Sequence, residues 1–278
     1  MFSSRIILNI ALVLALAGLI GLAVFTAQKD QPVSSLSELT ISQVNSIKIK
    51  NGDTITHLNK SNNIWKIKQP VTIEADDFRV HAILNILKSG NEKPYTIDNA
   101  DLKKFSLNPA LASITLNQQE ILFGTTSAVN DKRYIYTNGK LFLIDDQFYP
   151  LITSGYKNLM RRQLFSVNSN ISDISFDNTH VYMNSNGSWI SDRKNQSSDD
   201  LKRYIDNWQH IQAYAVTRST PPYTGTAVTI KTSTKTYKFL LTKSEDNTTV
   251  INPELGLSYQ FDISVFETLT QPDHFFTE

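Results

Sequence analysis

The feature that most constrains this chain is an internal repeat. An alternating stretch with Trp65, "IWKIK", precedes a helix-like run, "EADDFRVHAILNIL". The second half repeats this order in "GSWIS", with Trp189, and "SSDDLKRYIDNW". Trp189 and Asp200 follow Trp65 and Asp76 at one common offset, 189 − 65 = 200 − 76 = 124. Self-similarity at a fixed offset indicates that one structural unit is used twice.

Both halves combine the period of strands with the period of helices. Segments such as "SIKIK" and "TITHL" alternate apolar and polar residues, which is typical of antiparallel strands with one solvated face. The longer helix of each half places its apolar residues on one face: Val80, Ile83, Leu84 and Leu87, then Leu201, Tyr204, Ile205 and Trp208. The pattern predicts an α+β protein with two tandem units, 39–160 and 161–278. Each is expected to be a mostly antiparallel sheet with one longer amphipathic helix.

A long apolar stretch precedes the two units. Residues 6–25 are apolar apart from Asn9, and about 20 such residues are enough for a helix to cross a bilayer. We predict an uncleaved transmembrane helix within an anchor at 1–28, followed by a polar linker at 29–38; a cleavable signal peptide is the alternative. Arg5 before the span favours a cytoplasmic N-terminus in the inner membrane, with the rest of the chain in the periplasm.

Composition narrows the possible functions. The formal net charge is +1, so no global field attracts nucleic acid. The chain has no cysteine, which excludes disulfides and thiolate chemistry. Its five histidines show no metal-ligand spacing, and no nucleotide-binding glycine motif is present. We therefore expect no catalytic, cofactor or metal residues.

Four residues of the repeat are interpreted as structural. Asp76 is expected to be a helix N-cap, and Asp200 to open the second helix in the same way. Neighbouring residues such as Asp76 and Asp77 point about 100° apart at a helix start, so they do not face each other as an acid/base pair. Trp65 and Trp189 are expected to pack beneath their helices, each indole N–H finding one partner; stacking on a sugar or aromatic ligand is the alternative.

Two basic groups are candidates for interaction. Alternation places Lys48, Lys50, Lys66 and Lys68 opposite their apolar neighbours, and adjacent strands would merge them into a basic stripe for an acidic partner or lipid headgroups. A solvated sheet face is the other interpretation. Arg161 and Arg162 in "MRRQLF" mark either the junction that docks the units or an anion site.

Several motifs resemble a bacterial family designated domain of unknown function 4340. They are "IWKIKQP" (64–70), "EADDFRVHAILNIL" (74–87), "FSLNPA" (105–110), "ITLNQQEILFG" (114–124), "YIYTNGKLFLID" (134–145) and "LMRRQLF" (159–165). Ser106 replaces the family's usual glycine, which predicts that a left-handed turn is not needed there. The resemblance implies a membrane-anchored extracytoplasmic protein associated with ABC transporters of the gliding-motility type, and it implies no catalytic residues.

Three functions follow as hypotheses. The first is a non-enzymatic accessory protein of an ABC-type transport system, contacting its permease or extracytoplasmic subunit. The second is an anchored binding module for a cell-envelope glycan, lipid or peptide in a cleft between the units. A periplasmic hydrolase is the third, and it requires a converging nucleophile, base and oxyanion donor.

Overall fold

The structure is a computed structural model that describes residues 12–21, 34–91, 94–166, 168–193 and 196–272. Residues 12–21 form helix α1, and six of its large apolar side chains are exposed: Leu12, Val13, Leu14, Leu16, Leu19 and Ile20. No helix within the described ranges has the length and apolarity to cross a membrane. The other residues of the predicted anchor, and residues 29–33 of the predicted linker, lie outside the described residues.

Two antiparallel sheets form the rest of the molecule. The first sheet contains β2 (Ser46–Asn51), β3 (Thr54–Ser61), β4 (Ile64–Gln69), β5 (Ile73–Glu74), β7 (Tyr95–Thr96), β8 (Ala112–Leu116), β9 (Gln119–Thr126), β10 (Arg133–Thr137) and β11 (Lys140–Ile144). The second contains β12 (Ile171–Phe176), β13 (Thr179–Met183), β14 (Trp189–Ser191), β15 (Ala215–Arg218), β16 (Thr226–Thr232), β17 (Thr236–Lys243), β18 (Asn247–Asn252) and β19 (Leu257–Asp262). A short pair, β1 (Ser34–Ser35) with β6 (Gly90–Asn91), lies beside the first sheet.

Helices cover the inner face of each sheet. The α-helices are α2 (Asp77–Leu84), α3 (Phe148–Thr153), α4 (Ser198–His210) and α5 (Val265–Thr270). Four short 3₁₀ helices span Ile41–Gln43, Asn85–Lys88, Asn99–Phe105 and Tyr156–Leu159. The predicted first helix therefore changes from α to 3₁₀ geometry at Asn85, although Val80, Ile83, Leu84 and Leu87 are all buried as the pattern requires.

The two sheets have the same topology. Their strand orders are β4-β3-β2-β8-β9-β10-β11-β7, with β5 added at the first edge, and β14-β13-β12-β16-β17-β18-β19-β15. In each unit the first strands form a meander, and a helix follows them. The next strand pairs at the far edge of the sheet. The last four strands then fill the space between that edge and the meander. The predicted α+β class and tandem repeat are confirmed. We call these the first unit and the second unit.

Local sequence explains most strand boundaries. In β2 the side chains of Ile47 and Ile49 are buried while Lys48 and Lys50 are exposed, because a strand turns alternate residues to opposite faces. The β10–β11 hairpin turns at Asn138 and Gly139, which have φ of 50° and 74°. Two positive φ angles are what a tight two-residue hairpin requires.

The two longer helices begin differently. Asp76 is the N-cap of α2, and its Oδ1 accepts a hydrogen bond from the Arg79 N–H at 3.2 Å. In α4 the N-cap is Ser197, whose Oγ accepts from the Asp200 N–H at 3.2 Å. The prediction that Asp200 opens this helix is wrong, because a serine three residues earlier already supplies the capping oxygen and Asp200 lies inside the first turn.

The repeated tryptophans belong to the core. Trp65 is 1% exposed and Trp189 is 7% exposed, each on the strand beside the helix of its unit. The expectation that the Trp65 indole N–H finds a partner is wrong for the described residues, among which its Nε1 is buried without a hydrogen bond. Trp208 on α4 instead donates from Nε1 to the Leu269 carbonyl at 3.1 Å.

Residues 97–111 cover part of the outer face of the first sheet, the face opposite α2. They form a small second core in which Leu102 and Leu107 contact Leu141 of β11. The backbone passes so close that a Cβ on Gly124 would lie 2.1 Å from the Phe105 carbonyl oxygen, so β9 needs glycine there. Ser106 has φ 54° and ψ 39°. The prediction that this position avoids the left-handed conformation is wrong, because serine adopts it to end the 3₁₀ helix.

Candidate ligand cleft between the two units

Residues 159–166 connect the units and hydrogen-bond to both. On one side the Asp76 N–H donates to the Leu159 carbonyl at 2.8 Å, and the Arg161 N–H donates to the Glu74 carbonyl at 3.0 Å. On the other side the Ala213 N–H donates to the Arg162 carbonyl at 3.0 Å. This linking segment therefore acts as a short strand between the edges of both units, which fixes their relative position here.

A cleft of about 500 Å³ opens along the linking segment. Its walls come from β4 and β5 of the first unit, the linking segment itself, and the second unit near β17 and β19. The apolar and aromatic lining residues are Ile64, Ile73, Leu164, Phe165, Tyr237, Leu255 and Tyr259. The charged ones are Lys66, Glu74, Arg161 and Lys235. Its volume lies in the range of roughly 300–1,000 Å³ that is usual for small-molecule sites.

Glu74 and Arg161 form the polar centre of the cleft. Glu74 Oε1 accepts a hydrogen bond from the Ser166 hydroxyl at 2.7 Å. Its Oε2 lies 3.8 Å from Arg161 Nε, close enough for an ion pair but too far for a hydrogen bond, and within the described chain it has no hydrogen-bond partner. Arg161 Nε instead donates to the Phe165 carbonyl at 2.8 Å. The guanidinium is thereby held in one orientation.

Two tyrosines of the second unit complete the cleft. Burial would raise the pKa of Tyr237, but hydrogen bonds with Ser166 and Ser169 and the charge of Lys235 outweigh it, so this pKa lies below its usual value. Burial raises the pKa of Tyr259, which is 3% exposed and therefore stays a neutral phenol. Among described residues the Tyr259 hydroxyl has no hydrogen-bond partner.

The two lysines of the cleft differ in their pairing. Lys235 Nζ lies 3.2 Å from Glu254 Oε2 and 4.6 Å from the centre of the Tyr237 ring, so its charge is largely compensated. Lys66 is the cross-strand neighbour of Glu74 on β5, yet it forms no ion pair with the residues that the structure describes. The cleft consequently has one uncompensated ammonium beside a fixed guanidinium.

The other predicted interaction residues lie elsewhere. The expectation of one basic stripe is wrong, because β2 and β4 are not neighbours: β3 separates them and places His57 and Asn59 between the lysine pairs. Lys48, Lys50 and Lys68 are exposed, whereas Lys66 lines the cleft. Arg162 contributes its backbone carbonyl to the junction, and only Arg161 lines the cleft.

Two other features compete with the cleft as sites. A depression of about 860 Å³ is lined by residues 35–39 and 117–119. Gln119 Nε2 already donates to the Leu36 carbonyl at 3.1 Å, so these polar groups hold the segment 35–39 against the first unit. On the second sheet, Asp173 Oδ2 contacts His180 Nε2 at 3.1 Å and Lys231 Nζ at 3.0 Å. These three side chains satisfy one another on a solvated sheet face.

In the described ranges no group of three His, Asp or Glu side chains could hold a metal.

The comparisons with known proteins identify a family. Residues 65–221 match the sequence profile of the family described as Domain of unknown function (DUF4340), which is more than half of the chain. The chain belongs to this family. Comparison with curated proteins gives no match, and comparison with solved structures gives none either. The DUF4340 match contains Lys66, Glu74 and Arg161, whereas Tyr237 and Tyr259 lie beyond it.

Sequence reasoning missed most residues of the cleft. Glu74, Ser166, Tyr237 and Tyr259 carry no spacing signal, because they meet only when the two units dock. Arg161 is the exception: the sequence predicts it either at the junction or in an anion site, and its place at the junction brings it to the cleft. The one hint in the sequence is that Glu74 stands two residues before the N-cap Asp76, between a strand and a helix.

Proposed function

We propose that this DUF4340 protein is a non-enzymatic extracytoplasmic accessory subunit of an ABC-type transport system, anchored in the inner membrane by its N-terminal helix. The observation that carries the proposal is α1, whose large apolar side chains are all exposed. A group of exposed leucines this dense is unfavourable in water and favours a membrane or protein environment. In the sequence, α1 lies within the apolar stretch 6–25, which has about the length of a bilayer span.

The two fused units supply a rigid surface for a partner. Their buried side chains form one continuous cluster, so the units are expected to move together. Lys48, Lys50 and Lys68 are exposed and form no ion pair with other described residues, which leaves positive charge for an acidic partner surface. Charge complementarity of this kind chiefly affects association rate and choice of partner.

Affinity capture tests the transporter role. The full chain is captured from detergent-solubilised membranes and the recovered proteins are identified. We expect a permease or a cassette ATPase, and less of it with a Lys48→Gln, Lys50→Gln, Lys68→Gln variant. A matched variant, Lys202→Gln with Lys238→Gln on the second unit, should capture as much as the original chain. Repeated recovery of the protein alone would contradict the proposal.

Topology can be tested separately because the chain has no cysteine. A single Asp246→Cys variant should react with a membrane-impermeant maleimide in spheroplasts whose inner membrane is intact. A Ser3→Cys variant should react only after that membrane is broken. The opposite pattern would place the folded units in the cytoplasm, and reaction of both sites would mean that no membrane separates them.

The cleft favours a second candidate function, an anchored binding module for a cell-envelope ligand. It lies at a domain interface, where ligand sites are common, and combines apolar walls with a few oriented polar groups. Cell-envelope fractions that contain glycans, lipids or peptides should raise the thermal transition of the protein. If no fraction raises it, this candidate is rejected while the transporter role stands.

A further inference from the structure

We propose that the cleft between the units binds a small amphiphilic anion, a carboxylate or phosphate group joined to an apolar body, with the Arg161 guanidinium as its main anchor. The inference rests on the second candidate function and goes beyond it by naming the class of ligand. Three observations carry it: a fixed guanidinium, a tyrosine hydroxyl without a hydrogen-bond partner among the described residues, and an excess of positive charge.

The guanidinium is already oriented for an anion. Arg161 is held through its backbone N–H, which donates to the Glu74 backbone carbonyl, and through Nε, which donates to the Phe165 carbonyl. Its side chain is 19% exposed, and in the described part of the chain its two Nη nitrogens have no hydrogen-bond partner. Paired nitrogens of this kind bind two oxygens of a carboxylate or phosphate side by side. A side chain that is already fixed also loses less entropy when it binds.

Tyr259 supplies a hydroxyl donor that lines the same cleft. Its side chain is 3% exposed, yet among the residues described its hydroxyl bonds to nothing. It lies within electrostatic range of Arg161 and Glu74, and because it stays protonated it can donate. The hydroxyl is therefore free to donate to a ligand oxygen in the cleft, and hydrogen bonds to charged oxygens are among the stronger ones.

The charges of the cleft call for an anion rather than a cation. Lys235 is compensated by Glu254 and Arg161 is partly compensated by Glu74, while Lys66 has no ion-pair partner in the described chain. Three cations against two carboxylates leave one positive charge. A monoanion would complete the balance, whereas an ammonium group would add to the excess.

The remaining surface selects an apolar body. Leu255 is a large apolar residue at the cleft and is 46% exposed, and Ile64 lies on the opposite unit. The area they would share with a ligand is apolar, so an alkyl chain or small ring gains by leaving water there. The ligand is therefore anionic at the Arg161 end and apolar at the Leu255 end.

The test uses the full chain in phosphatidylcholine nanodiscs, with empty discs as the blank. Calorimetry should give saturable binding of hexanoate or hexyl phosphate, with hexanol and hexylamine at least about tenfold weaker. Arg161→Gln should weaken hexanoate or hexyl phosphate binding about tenfold or more. Tyr259→Phe removes only the hydroxyl and keeps the packing ring, so it should weaken binding while the thermal transition stays unchanged.

A lysine pair provides the matched control. Lys66→Gln should weaken anion binding, and Lys48→Gln, the same change on a nearby strand outside the cleft, should not. Equal affinity for hexanol and hexanoate, or equal loss in both lysine variants, overturns the proposal. Absence of all binding also overturns it, and the envelope-fraction screen then decides separately whether the cleft is a ligand site.

Two further arms separate related outcomes. If hexylamine binds and its binding survives Arg161→Gln, the cleft is a ligand site, but the proposal that its ligand is an anion is rejected. If phosphatidylglycerol in the discs abolishes hexanoate binding, and the Arg161 variant abolishes that competition, the anion belongs to a lipid headgroup. If hexanoate binding persists in those discs, the anion is a soluble molecule.

Discussion

At the residue scale, Trp65 and Trp208 are alike in burial and different in hydrogen bonding. They are 1% and 0% exposed, but only Trp208 has a partner for its indole N–H among the described residues. Replacing either ring with Phe removes similar packing, whereas only Trp208→Phe also removes a hydrogen bond. The difference between the two variants in the free energy of unfolding therefore isolates the contribution of that hydrogen bond.

We therefore expect Trp208→Phe to lower the free energy of unfolding by about 1 kcal/mol more than Trp65→Phe. Urea denaturation followed by circular dichroism measures both. An equal or larger loss for Trp65→Phe would show that its N–H has a partner after all, such as a bound water.

Ser106 is a second case at this scale, because its backbone conformation conflicts with its residue type. A residue with a Cβ pays about 1 kcal/mol for the left-handed region, and glycine does not. Ser106→Gly should raise the free energy of unfolding by up to about 1 kcal/mol. Ser89→Gly, at φ −78°, is the control and should lower it. A loss of stability in both variants contradicts the prediction.

At the scale of elements, the start of α4 depends on one hydroxyl. Ser197 Oγ accepts from the Asp200 N–H, so Ser197→Ala leaves a free donor in the first turn. We expect a loss of about 1 kcal/mol in the free energy of unfolding, measured by urea denaturation. Ser185→Ala, at an exposed turn position, should change it little. If the two variants behave alike, Ser197 is not the cap.

The strands β12, β13 and β16 share a charged contact that responds to pH. Burial would raise the pKa of Asp173, but hydrogen bonds from His180 and Lys231 outweigh it and lower that pKa; Ser175 and Asp192 also lie beside this cluster. A carboxylate with a lowered pKa in the folded state stabilises the protein above its unfolded pKa of about 4. That stability is lost as pH falls through the lowered value.

The stability difference between the original chain and Asp173→Asn should therefore shrink as pH falls below about 4. Denaturation curves between pH 7 and pH 3 measure this difference. Asp246→Asn, in the exposed turn before β18, should show no comparable change. A difference that does not depend on pH would mean that the Asp173 contacts contribute nothing to folding.

At the scale of the whole molecule, the two units share one core. Phe165 in the linking segment is 2% exposed and packs edge-on against Tyr237 and Phe239, with ring centres 5.1 and 5.9 Å away. Because the linking segment also hydrogen-bonds to β5 and to the N-cap residue of α2, separating the units would expose this ring and break those bonds. The units are therefore expected to unfold together.

We expect a single cooperative transition by both fluorescence and circular dichroism. Phe165→Ala should cost about 3–5 kcal/mol in the free energy of unfolding, or split the transition in two by uncoupling the units. Two transitions in the original chain would show that the shared core does not couple them.

Part of the fold could be predicted because its signals are local. Alternation, helical spacing and the Asn138-Gly139 turn each depend on residues within a few positions, and the repeat shows the same signals twice. The sequence does not predict the start of α4 correctly, because Ser197 and Asp200 both suit a helix start and only the backbone geometry distinguishes them. The conformation of Ser106 was misjudged for a related reason: the packing of residues 97–111 on β9 imposes it.

The sequence by itself determined the class of the fold, the number of units and the core faces of the helices, because periodicity follows directly from backbone geometry. The cleft was decided only by the tertiary structure. Glu74, Arg161 and Tyr259 come from two sheets and the segment between them, and they converge because hydrogen bonds along residues 159–166 fix how the units dock. The tertiary structure also separated the two lysine pairs, because β3 lies between β2 and β4. Of the four lysines, only Lys66 lines the cleft.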